Sequence, residues 1–128
     1  MKEQLIVSLI LLALVVLDAV GDAFRLRGWQ IPHHILEVFH VAGWVVVWAL
    51  FAFDLQFVLL YVLGRIVLFD IVFNLTAGLP IGHVGTNSIY DLVVTKIGGW
   101  VKQHPGHFAF IFRVMALTAW IGTLIKIL

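Results

Sequence analysis

Apolar residues gather into four long stretches: Leu5 to Asp22, Ile35 to Phe53, Leu55 to Leu75 and Phe108 to Leu128. Each comes close to the roughly 20 residues an α-helix needs to cross about 30 Å of hydrocarbon. Only Asp54 and Gln56 interrupt the second and third stretches, so these two predict an antiparallel helical hairpin with a tight turn. The first stretch has the length of a signal-peptide core, and Ala19-Val20-Gly21 offers small residues for cleavage. Glu3 offsets Lys2, which leaves a weak basic leader and favours a retained helix.

The pattern changes between the third and fourth stretches. Gly78, Pro80, Gly82 and Gly85 mark turns. Ser88 and Asp91 match a capping box. Ile89, Val93, Ile97 and Trp100 then fall on one helical face, with Asp91, Thr95 and Lys102 on the other. This predicts a short amphipathic helix over 88–102 lying in the membrane interface, ended by His104-Pro105-Gly106-His107. The expected fold is an all-α, polytopic integral membrane protein, a single domain of four transmembrane helices plus this interfacial helix.

Composition sharpens the picture. The 128 residues are 62% hydrophobic and 12% charged, against roughly 45–50% and 25% in soluble domains. A soluble fold of this size leaves too much surface exposed to hide that much hydrocarbon. The absence of cysteine excludes disulfides and thiolate metal sites. A net charge of +1 without a basic run argues against a nucleic-acid partner. Membrane lipids, a homo-oligomer and a membrane-protein partner are the partners in keeping with this composition.

Orientation follows from charge. The first and third connections carry Arg25, Arg27, Lys96 and Lys102, whereas the terminal side carries Lys2 and Lys126. The positive-inside rule then places the connections in the cytoplasm and the termini outside, in a bacterial-type inner or plasma membrane.

The ionisable residues within the spans are unevenly placed. Alternating helix direction, at about 1.5 Å per residue, puts Asp18 and Asp22, then His33, His34, Glu37 and His40, then Asp70 and Asn74, and finally Arg113, in the half of the bilayer next to the connections. Arg65 falls nearer the middle. Ionisable groups in hydrocarbon cost several kcal/mol unless paired or hydrated, so they face a bundle interior or a wet cavity. The expected ion pairs are Arg113 with Asp18, and Arg65 with Asp70 or a headgroup.

Three chemistries fit these residues. Glu37 and His40 form a Glu-x-x-His pair, and His33 lies one turn before Glu37. His33, Glu37 and His40 are therefore candidate ligands of a divalent zinc, iron or manganese ion. Their alternative role is structural, with His33 and His34 capping the helix after Pro32. Second, Asp18, Asp22, Arg65, Asn74 and Arg113 are candidate ligand-binding residues for an anionic headgroup, although no P-loop or dinucleotide fingerprint accompanies them. Third, Glu37, His40 and Asp70 are candidate catalytic acid–base groups. No nucleophile accompanies them, because Ser8 lies in the opposite leaflet and Ser88 reads as a helix cap. Haem is not expected, since His40 finds no histidine at matching depth on another helix.

The leading functional expectation is a polar pocket near the cytoplasmic leaflet. It binds a metal or an anionic headgroup and acts on a lipid-phase substrate. The rivals are a non-enzymatic accessory subunit, whose charges pair internally or with a partner, and a holin- or channel-like oligomer.

Overall fold

A computed structural model describes residues 2–51, 54–81, 83, 96, 99 and 103–127. Among these, the chain forms four long helices and no strand: α1 (Lys2–Leu26), α2 (Gln30–Phe51), α3 (Leu55–Ala77) and α4 (Pro105–Ile127). All four are long and apolar enough to cross a membrane. Apart from Lys96 and Gly99, the expected interfacial helix over 88–102 lies outside the described residues.

Local chemistry explains where the helices stop. At the end of α1, Gly28 adopts φ 76°, a left-handed conformation that glycine takes without strain. Its N–H donates to Arg25 O at 3.0 Å, and the Trp29 N–H donates to Phe24 O at 2.9 Å. The Trp29 and Phe24 rings meet with centroids 5.4 Å apart. This is the Schellman motif complete with its apolar contact. Gly78 repeats it after α3 with φ 75°, and Leu79 N–H donates to Asn74 O at 2.7 Å. Asp54 caps the start of α3, its carboxylate accepting from Gln56 N–H at 2.9 Å. Pro105 opens α4, where its missing N–H has no helical partner to lose.

Side-chain neighbours fix the relative directions. Leu14 packs beside Gly43, and Gly21 faces His33 and Leu36, so α1 and α2 are antiparallel. Gly64 lies beside Leu12 and Gly78 beside Arg27, so α3 is parallel to α1; Gly64 lies beside Trp120 and Asp70 beside Arg113, so α3 is antiparallel to α4. The glycines at 43 and 64 admit a neighbouring side chain close to the backbone, as small residues do at membrane helix contacts.

The order of packing departs from the expected hairpin. The turn between α2 and α3 is short, but the extensive backbone contacts run α1–α2, α1–α3 and α3–α4. Helix α1 is central: 39% of its most apolar window is buried, against 6% for α2 and 17% for α3. The physical reason lies in its small and branched residues. Val7, Leu11, Val15, Ala19 and Ala23 recur every four residues and are all buried. Val7, Leu11 and Leu14 join Val47 and Leu60 in the core, with Trp44, Tyr61 and Trp120 packed around it. The outward positions of α2, including Val38, Val41 and Val45, are large, apolar and exposed.

Candidate functional site

Parallel α1 and α3, each flanked by an antiparallel neighbour, bring the connection-side polar residues into a common zone. Two ion pairs cross the helix contacts there. Arg65 of α3 pairs with Asp18 of α1, and Arg113 of α4 donates to Asp70 of α3 at 2.8 Å. The Arg65 guanidinium also stacks over Phe69, 4.2 Å from its centroid.

This differs from the pairing expected from the sequence, Arg113 with Asp18 and Arg65 with Asp70 or a headgroup. Helix α4 packs on α3, so Arg113 meets the α3 carboxylate first. Helix α1 is left to receive Arg65. Arg113 is the more deeply placed arginine, and its buried Nε has no partner among the described residues.

Asn74 is fully engaged in shaping the next loop. Buried within α3, it donates through its side-chain nitrogen to Ile81 O at 3.1 Å and His83 O at 3.0 Å. Its candidate role in binding a ligand therefore coexists with a structural one. Just outside the helices, the Arg27 guanidinium approaches Gly78, so the ends of α1 and α3 lie side by side. Asp22 is half-buried on α1 and forms no ion pair among the described residues. Ser8, at the far end, is buried and donates its hydroxyl to Gln4 O at 2.8 Å.

The histidines divide into two groups. His40 is hydrogen-bonded through Nε2 to the Tyr61 hydroxyl at 3.1 Å, bridging α2 and α3. Tyr61 in turn stands edge-on to Trp44, with centroids 4.7 Å apart. His33, His34 and Glu37, by contrast, form one cluster in which one ligand atom from each lies within 4.8 Å of the others. His34 Nδ1 is 3.3 Å and His33 Nε2 3.9 Å from the same oxygen, Glu37 Oε2. The cluster thus differs from the expected trio of His33, Glu37 and His40: His34 stands in it and His40 does not. Glu37 reaches back toward the helix start, whereas His40, one turn further on, points into the groove beside Tyr61.

The cluster fits a metal ion on three counts. Two ligands of a tetrahedral ion bound at about 2.0–2.1 Å stand roughly 3.3–3.4 Å apart; the His34–Glu37 separation of 3.3 Å matches this, and the His33–Glu37 separation of 3.9 Å is longer. His33 Nδ1 lies 3.0 Å from Gly21 O; a carbonyl only accepts, so Nδ1 carries the proton and Nε2 keeps its lone pair for a ligand. That backbone anchor, on the neighbouring helix, is how metal-binding histidines are commonly oriented. Finally, His34 and Glu37 are exposed, while His33 is half-buried. The cluster begins about 4.5 Å along α2, within reach of ions from the aqueous side.

Sequence spacing could have identified His34, which sits three residues before Glu37. Tyr61 carried no such signal, because its contact with His40 spans two helices.

The arrangement defines a helical bundle with four candidate membrane spans, cross-braced by interhelical ion pairs and carrying a His-His-Glu cluster at one end. Comparison with protein families, with curated proteins and with solved structures finds no match.

Proposed function

We propose that this chain is a multi-pass membrane protein that binds a divalent transition metal near the membrane surface through His33, His34 and Glu37. On this reading the bound ion retains open coordination positions, which serve hydrolysis or group transfer on a lipid-phase substrate. The observation that carries the reading is the convergence of three ligand atoms within 4.8 Å. The Gly21 carbonyl behind His33 supports it by presetting the ring. A three-ligand set leaves room for water or substrate, as catalytic metal sites do. His40, one turn further along α2, is the neighbouring acid–base group, while Asp70 is held by Arg113. The connection-side leaflet is the cytoplasmic one in this proposal.

Elemental analysis and metal titration of the detergent-solubilised protein test it. One zinc or manganese per chain is expected, with affinity reduced about 10–100-fold in Glu37→Ala and His34→Ala. A wild-type protein that binds no divalent ion would remove the reading. The alternative of a non-enzymatic structural subunit is favoured by a separate observation: both intramembrane arginines find carboxylates within the chain. That arrangement is sufficient for a self-contained scaffold, and it becomes the conclusion if the metal titration is silent.

A further inference from the structure

Helix α2 is the least buried of the four, and its open surface is ordered. His34, Val38, Val41, Val45 and Trp48 follow one another at intervals of four and three residues, so they share one helical face. Each is more than half exposed. Val38 to Trp48 covers about 15 Å at the helical rise, half of the roughly 30 Å of a bilayer's hydrocarbon. The stripe is therefore as long as one leaflet's acyl chains are deep, and it is headed by a member of the His33, His34 and Glu37 cluster. Exposed apolar side chains also line α4, among them Phe110 and Val114, but among the described residues a group of three metal ligands stands on α2 alone. Charge at this end is positive. Held by two neutral imidazoles and one carboxylate, a divalent ion keeps a single net positive charge. Arg25 and Arg27 close the end of α1; both are exposed, and neither forms an ion pair among the described residues. Gly21 lies beside His33, so these arginines, four and six residues further along the chain, stand at the level where α2 begins.

We propose that the ligand of the metal centre is an acidic phospholipid, with a phosphate oxygen in an open position on the ion and an acyl chain along Val38, Val41, Val45 and Trp48. This rests on the metal-binding reading and names the lipid that the ion receives. Both halves of such a molecule find a counterpart. The phosphate is drawn by the ion, which takes oxygen ligands beside imidazole, and by the two guanidiniums, each of which strengthens attraction to an anionic lipid about fivefold. The chain finds an uninterrupted apolar stripe that starts at the ion. A free phosphate would leave that stripe unused. The choline of a zwitterionic lipid would bring a second cation to an end that is already positive.

Full-length, zinc-loaded protein tests this by native mass spectrometry after exchange with vesicles of phosphatidylglycerol or of phosphatidylcholine. Phosphatidylglycerol is expected to be retained, and to be lost when EDTA removes the zinc or in Glu37→Gln. Arg25→Gln with Arg27→Gln is expected to keep its zinc and to bind phosphatidylglycerol about tenfold or more weakly. Cobalt in place of zinc reports on the ion itself: its visible absorption is expected to shift with phosphatidylglycerol and to stay unchanged with glycerol phosphate at the same concentration. The possible failures are distinguishable. A wild-type protein that binds no zinc removes the metal reading, and the lipid assignment falls with it. One zinc per chain with phosphatidylglycerol retention that survives EDTA overturns the lipid assignment alone. So does equal retention of the two lipids, or a cobalt spectrum that glycerol phosphate shifts as readily, since the ligand would then be a free phosphate.

Discussion

Single side chains decide how charge is tolerated inside this bundle. Arg113 is largely enclosed, and its ion-pair partner among the described residues is Asp70. Removing one member of a buried pair leaves the other uncompensated, which costs about 3–5 kcal/mol where both are fully buried. Asp70 is partly exposed, so Arg113→Ala is expected at the lower end, about 3 kcal/mol, read as a shifted unfolding midpoint in a denaturing-detergent titration. The double variant Arg113→Leu with Asp70→Leu is expected to recover most of that loss, because two apolar side chains leave no orphaned charge. If the double variant is as unstable as the single, the pair is not what holds α3 to α4. The histidines offer a cleaner contrast. His33→Ala is expected to lower divalent-metal affinity by at least about tenfold, whereas His40→Ala is expected to leave it within about twofold. Acidification is expected to weaken metal binding, since protons compete for the imidazole lone pairs. An affinity that rises on acidification would contradict ligation by His33 and His34.

At the scale of elements, glycine and asparagine finish what the apolar runs begin. Gly78 holds a left-handed φ of 75°, and a Cβ there would approach the Arg27 guanidinium at 3.3 Å. Gly78→Ala is expected to destabilise the protein by about 1–2 kcal/mol, seen as a lower thermal midpoint. Gly122 is a helical glycine at which an added Cβ would meet nothing within 4 Å. Gly122→Ala is accordingly expected to be neutral or slightly stabilising. Asn74 acts across a different boundary: its side chain holds Ile81 and His83 by their carbonyls. Asn74→Leu keeps the bulk and deletes both donors, leaving two backbone acceptors to find water. Faster proteolysis near residues 79–83, with α3 itself still protected, is the expected outcome. Unchanged cleavage would mean that the loop needs no such anchor.

The whole molecule is organised around α1, and its direction through the membrane follows from alternation. Gln56 and Gln103 belong to opposite ends of the bundle, because α3 starts at one and α4 at the other. The chain contains no cysteine, so Gln56→Cys and Gln103→Cys give single labelling sites without further changes. An impermeant thiol reagent added to intact cells is expected to label position 56 and spare 103, in line with the charge bias of the connections. The reverse pattern would invert the topology and move the His33, His34 and Glu37 cluster to the outer surface. The channel reading is tested at the same scale: liposomes containing the protein are expected to show no conductance above that of empty liposomes.

The amino-acid pattern by itself determined the class and the vertical plan. Four apolar stretches set the four helices, because hydrocarbon admits only backbone whose hydrogen bonds close within the segment. Their alternation set which acids, imidazoles and guanidiniums share an end of the bundle, since height depends only on counting residues along each helix. Asp54, Gly78 and Pro105 marked three boundaries through their own backbone preferences. Lateral order was beyond that reading. Neighbours along the chain, α2 and α3, were expected to pack together, yet α1 packs against each of them, because its row of small and branched residues lets two helices approach at once. That one fact redirected the ion pairs, sending Arg65 to Asp18 and Arg113 to Asp70. It also turned His33 toward the Gly21 carbonyl, whereas His34 meets Glu37 by its spacing within α2 alone. Depth is a property of one helix; partnership belongs to two, and only the tertiary structure supplies the second.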